Sequence, residues 1–109
     1  MKANVKVQMK SIMAMAHSFV RMEGFTMSEA LKVAWNNWKL RKIMSQQIVR
    51  FYFRKVDGSV REALGCLIPS MLPLTKGTGV SNPSIQTYYD TERGAYRSFR
   101  KANLLGFEQ

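Results

Sequence analysis

The sequence predicts an α+β domain in which an N-terminal helical hairpin precedes a small antiparallel barrel of five strands. Three observations carry the prediction. Apolar residues recur every three or four positions as far as residue 44 and every second position after residue 48. Thr26 and Glu29 form a capping box at the start of the second helix. Asp57-Gly58 stands between two alternating runs, a strong short signal for a hairpin.

The first helix is expected over about residues 8–22. Met9, Ile12, Met13, Ala16, Phe19 and Val20 make one stripe, while Lys10, His17, Ser18 and Arg21 fall off it. Gly24 follows as a C′ glycine, where a left-handed backbone is cheap. The second helix is expected over 27–44. In Phe25-Thr26-Met27-Ser28-Glu29 the Thr26 hydroxyl can accept from the amide of Glu29, and the carboxylate can reach back to the amide of Thr26. Its stripe reads Met27, Ala30, Leu31, Ala34, Trp35, Trp38, with Lys32, Asn36, Lys39 and Arg41 opposite. The late cations Lys39, Arg41 and Lys42 complement the negative end of the helix dipole. Met27, Trp35 and Trp38 are expected to be core residues that seal an end or a face of the barrel.

The period then changes to two. In the run Ile48–Lys55, Val49, Phe51 and Phe53 share one face and Arg50, Tyr52 and Arg54 the other. Asp57-Gly58 predicts a type I′ turn, with positive φ at both residues. Residues 60–68 form the partner strand, in which Gly65 marks a bulge or a barrel corner, and Pro69 ends it. Residues 68–83 read as a loop that holds all three prolines; its Ser70–Leu74 part is apolar enough to pack back, and the tip is Thr75–Gly79. That tip is not a phosphate loop, since no Gly-Lys-Ser/Thr follows. Residues 84–91 give a third strand, Glu92–Gly94 a tight turn, and 95–100 a fourth strand. Lys101–Asn103 makes one short turn into a terminal strand at 104–108. A tight second connection, a long third one and a single turn before the last strand describe a small SH3-like or Sm-like barrel. Residues 1–46 are thus a helical leader and 47–109 the barrel, expected to behave as one cooperative unit.

Seventeen Lys and Arg against seven Asp and Glu give a net charge of +10 in 109 residues, a field that attracts polyanions. The single cysteine, Cys66, cannot form an internal disulfide, and no apolar run approaches the roughly 20 residues that span a bilayer. A secretory signal fails because only Ser11-Ile12-Met13 separates Lys10 from Ala14. The expected location is cytoplasmic.

Little points to catalysis. His17 and Cys66 stand far apart without a second ligand near either, so they read as an exposed helix residue and a small core residue. Glu29 has a capping task and Asp57 a turn task; Asp90 and Glu92 flank the third turn as solvated acids; Glu62 can pair across the hairpin with Arg50 or Arg54. No enzyme, metal or cofactor is expected.

The segments Val49–Leu67 and Tyr88–Phe107, in particular "RKVDGS" with "RE" and "RSFRKANLL", resemble an uncharacterised family of WYL-like, Sm-like SH3-barrel proteins of gut anaerobes, their phages and mobile elements. The upstream "MSEALKVAWNNWKLRKIM" resembles the helical leader of its longer members. The resemblance implies the barrel fold and carries over no catalytic residue. Kinship to WYL domains implies a regulatory or ligand-sensing role, although the Trp-Tyr-Leu triplet is absent.

The cations remain. Arg50, Tyr52 and Arg54 share an outward face; Tyr96, Ser98 and Arg100 share another, while Arg97, in phase with Phe99, is expected at the barrel rim. Aromatic planes with guanidinium groups on an exposed sheet suit single-stranded nucleic acid, bases on rings and phosphates on cations. The expectation is a non-enzymatic basic binding module for DNA or RNA that uses Arg50, Tyr52, Arg54, Tyr96, Arg100 and Lys101, assisted by Lys39, Arg41 and Lys42. The alternative is a protein–protein adaptor, an inhibitor that docks on an acidic protein, or a minor virion component. The eight methionines leave a helix-mediated homo-oligomer open. A helix-turn-helix reading with 26–44 as recognition helix is disfavoured, because the tryptophans want burial and only Asn36 and Asn37 would read bases.

Overall fold

The computed structural model describes residues 2–72 and 82–108, with side chains from residue 8 onward. Two helices, α1 (Lys2–Glu23) and α2 (Met27–Met44), precede strands β1 (Val49–Arg54), β2 (Val60–Cys66), β3 (Ile85–Asp90), β4 (Ala95–Arg100) and β5 (Leu104–Glu108). Short 3-10 turns occupy Pro69–Met71 and Lys101–Asn103. The element order is the expected one. Helix α1 starts at Lys2 rather than near residue 8, since the Lys, Ala and Gln residues there propagate a helix without advertising an apolar stripe.

Gly24, at φ +71°, turns the chain from α1 into α2. Thr26 Oγ1 accepts from the Glu29 amide at 3.2 Å, and Glu29 Oε1 accepts from the Thr26 amide at 3.1 Å. Those bonds hold the Glu29 carboxyl below its ordinary pKa. The hairpin packs Ile12, Ala16 and Phe19 of α1 on Ala30 and Ala34 of α2, with Phe25 edge-on to Phe19 at 5.9 Å. Small residues at the contact bring the helix axes close.

The buried line of α2 is Ala30, Ala34, Asn37, Leu40 and Met44; of the expected stripe it keeps Ala30 and Ala34, while Leu31 and Trp38 pack half-buried against the helical core. Trp35 is 38% exposed and Met27 37%. Leu40 and Met44 seal the barrel instead. The stripe was misjudged because one buried position holds a polar residue. Asn37 Nδ2 donates to the Val33 carbonyl at 2.9 Å and the Lys101 carbonyl at 2.8 Å, which satisfies its amide inside the fold.

The five strands form one antiparallel sheet in the order β4-β3-β2-β1-β5. Its two edge strands are joined by the three-residue turn Lys101–Asn103, so the sheet must roll upon itself. Val49, Phe51, Phe53, Ala63, Tyr88, Phe99 and Leu104 fill the interior. Phe51 meets Tyr88 edge-on at 4.9 Å, and Phe53 stacks on Phe99 at 5.2 Å.

One turn and one strand glycine differ from expectation. Among the described residues none other than glycine has positive φ, so Asp57-Gly58 is not a type I′ turn. Lys55 N donates to Ser59 O at 2.7 Å, and Gly58, at φ +91°, closes a three-residue loop. Asp57 keeps a right-handed backbone because its carboxylate accepts from Ser59 N at 2.9 Å and Ser59 Oγ at 2.6 Å. Gly65 marks no bulge, since its register with Val49 runs on from the preceding pairs. A Cβ there would lie 2.5 Å from Tyr88 Cδ2 and 2.9 Å from the Tyr89 carbonyl, so glycine admits the Tyr88 ring. The register shift falls in β1 between Tyr52 and Phe53, opposite β5. In the long connection, Met71 is exposed and Leu72 half-buried; the Thr75–Gly79 tip lies outside the described residues.

Candidate nucleic-acid interface

Strand alternation aims Arg50, Tyr52 and Arg54 out of the barrel, and register decides what they meet. Tyr52 stands opposite Glu62 on β2 and near Glu108 on β5. Arg50 pairs with Glu62 and lies 4.0 Å from Glu108. Tyr52 Oη donates to Glu108 Oε1 at 2.8 Å, and Arg54 Nη1 donates to the Gly58 carbonyl at 2.9 Å. The Glu62 hydrogen bond raises the Arg50 pKa, and the Glu108 bond raises that of Tyr52. Arg50 and Tyr52 are therefore laced to acids of neighbouring strands, and Arg54 to the hairpin backbone.

On β4, Arg100 pairs with Glu23 at the end of α1, which ties the helical hairpin to the barrel. Tyr96 lies edge-on to Tyr89 at 5.4 Å. Lys39 is exposed on α2.

Three of the nine expected residues converge elsewhere. The last turns of α2 and the turn Lys101–Asn103 border a cleft of about 380 Å³ lined by Asn37, Trp38, Arg41, Lys42, Gln86 and Lys101, among others. Lys42 Nζ sits 5.0 Å from the centre of the Trp38 ring, a cation–π contact. The Asn37 amide bond to its carbonyl and its own amide bond to Ser84 O at 3.0 Å fix the Lys101 backbone. Burial lowers the Lys101 pKa, and the neighbouring Arg41 charge lowers it further. No carboxylate lines the cleft. A half-buried cation facing a second cation is electrostatically costly, and an anion between them removes that cost.

Sequence reasoning named the cations of this cleft but missed Asn37 as their anchor and Gln86 as a wall. Asn37 does carry a signal, since it continues the Ala30, Ala34, Leu40, Met44 spacing; Gln86 carries none. Asp90, expected as a solvated turn acid, is 2% exposed. It accepts from the amides of Glu92 and Arg93, each at 3.0 Å, and stands 3.7 Å from Arg61. The inward phase of Arg61 with Ala63 hides that pair from a reading of local composition.

Among the described residues, no three His, Cys, Asp or Glu side chains gather in a way that suits a metal, and no helix is long and apolar enough to cross a membrane. Cys66 is buried and His17 exposed. No curated protein and no solved structure matches the chain. Residues 37–105, from Asn37 in α2 to Leu105 in β5, match the family described as WYL_2, Sm-like SH3 beta-barrel fold, and the chain belongs to that family.

Proposed function

We propose that the protein is a non-enzymatic module that binds single-stranded nucleic acid in the cleft between α2 and the turn Lys101–Asn103. The observation that supports this reading is the convergence of Arg41, Lys42 and Lys101 around Trp38 with no carboxylate among them. Phosphates would lie against the three cations, and a base against the exposed part of Trp38. Lys39, exposed on α2, adds to the basic surface; Arg50 and Arg100 contribute less, because Glu62 and Glu23 already meet them.

The test is fluorescence anisotropy of a labelled oligo(dT) or oligo(U) across a salt series. Three phosphate contacts on a single strand predict that log affinity falls with log salt at a slope of about 2. Arg41→Gln, Lys42→Gln and Lys101→Gln should each lower that slope by about 0.7. An oligonucleotide that stays unbound at about 50 mM salt overturns the reading. Retention of an acidic protein from nuclease-treated lysate would then favour docking on a protein partner.

A further inference from the structure

A second basic opening lies at the β1–β2 hairpin end of the barrel and shares no lining residue with the α2 cleft. It is a cavity of about 580 Å³ between the hairpin and β4, a volume typical of small-molecule sites. Phe53 and Phe99, stacked with 5.2 Å between ring centres and a 20° tilt, border it. Ile85, 37% exposed, and Val56, 92% exposed, add apolar rim.

The polar lining is cationic. Arg54, Lys55, Arg61 and Arg97 all border the cavity, and Asp57 is its one carboxylate. Asp57 is engaged by the amide and hydroxyl of Ser59. Arg61 leans on Asp90 at 3.7 Å, but its Nε is shielded from solvent and has no hydrogen-bond partner. Arg97 has no hydrogen-bond or ion-pair partner among the described residues. Across the β3–β4 ladder from Arg97 stands Tyr88, fully buried, whose hydroxyl is close enough to the Arg61 guanidinium to interact with it. The Arg61–Asp90 contact and the Tyr88–Arg97 register bring these four residues together, and burial, followed by Asp90, raises the Tyr88 pKa. An unsatisfied buried donor is uncommon in folded proteins, and here the Arg61 Nε accompanies an open cavity with surplus positive charge.

We propose that this cavity binds a phosphate monoester that carries an apolar or aromatic body, a nucleoside monophosphate being the class that fits. Arg97 and the free donors of Arg61 offer more N–H groups and more charge than one carboxylate can meet, whereas a phosphate dianion supplies three acceptor oxygens. The body of the ligand lies against the Phe53–Phe99 edge and the Ile85 rim. The same phosphate chemistry occurs free in solution and at the 5′ end of an oligonucleotide. This proposal goes beyond the nucleic-acid reading and uses none of the cleft residues.

The test is isothermal titration calorimetry of the full chain with AMP, adenosine, and a short oligo(dT) with and without a 5′ phosphate. AMP should bind at least tenfold more tightly than adenosine. Arg97→Gln should weaken AMP at least tenfold with an unchanged melting temperature. Lys42→Gln should spare AMP and weaken the unphosphorylated oligonucleotide, which separates this site from the α2 cleft. Tighter binding of AMP than of the 5′-phosphorylated oligonucleotide assigns the site to a free nucleotide; the reverse assigns it to a chain end. Equal affinity for AMP and adenosine, indifference to Arg97→Gln, or no binding of either phosphorylated probe overturns the proposal.

Discussion

Lys101 shows how one residue links structure to charge. Burial and Arg41 lower its pKa below the ordinary 10.5. Below that lowered value both folded and unfolded chains hold the proton, and the folded chain bears the cost. As pH rises through the folded pKa towards 10.5, the unfolded chain holds a proton that the folded chain has lost. Stability from this group therefore increases with pH across that window. Urea denaturation between about pH 8 and pH 11 should show the increase in the native protein and a smaller one in Lys101→Met. Gly65 is the second residue where a single atom decides. A Cβ would meet the Tyr88 ring at 2.5 Å and the Tyr89 carbonyl at 2.9 Å, and neither belongs to a flexible chain end. Gly65→Ala should cost about 3 kcal/mol in urea denaturation, through overpacking rather than through backbone conformation.

At the scale of elements, α2 joins the two cores. Ala30 and Ala34 pack on α1, and Leu40 and Met44 enter the barrel. Its start depends on the Thr26–Glu29 box, so Thr26→Ala should destabilise the protein by about 1 kcal/mol in a thermal melt followed by circular dichroism. Strand β1 gives the opposite lesson about charge. Arg50 is flanked by Glu62 and Glu108, and its removal leaves little unmatched field for a polyanion to lose. Arg50→Gln should change oligonucleotide affinity by less than twofold, while Arg41→Gln, in the acid-free cleft, should lower it severalfold; anisotropy at one salt concentration separates the two.

Across the whole molecule the seven acids are engaged unevenly. Glu23 meets Arg100, Glu62 and Glu108 meet the β1 row, Glu29 caps α2, and Asp57 and Asp90 hold turns. The acids thus meet cations of the outer sheet, while none lines the α2 cleft. A net charge of +10 also means self-repulsion in the compact state. Raising salt from about 10 mM to about 200 mM should raise the melting temperature, as screening relieves that repulsion. Differential scanning fluorimetry checks this, and a falling melting temperature would show that attractive pairs dominate.

The order of helices and strands, the α2 cap, the inward and outward faces of β1 and the existence of each turn were all legible in the chain itself. Such features depend on neighbours within about four residues, through hydrogen-bond spacing and side-chain alternation. The buried role of Asn37, the engagement of Arg50 and Arg100 by acids, the burial of Asp90 and the meeting of Lys101 with Arg41 were decided by the tertiary structure. Each depends on strand register or on where α2 lands on the barrel, which brings together residues such as Asn37 and Lys101 that are 64 positions apart. Periodicity shows which face a side chain takes; only the closed barrel determines which charge it meets there.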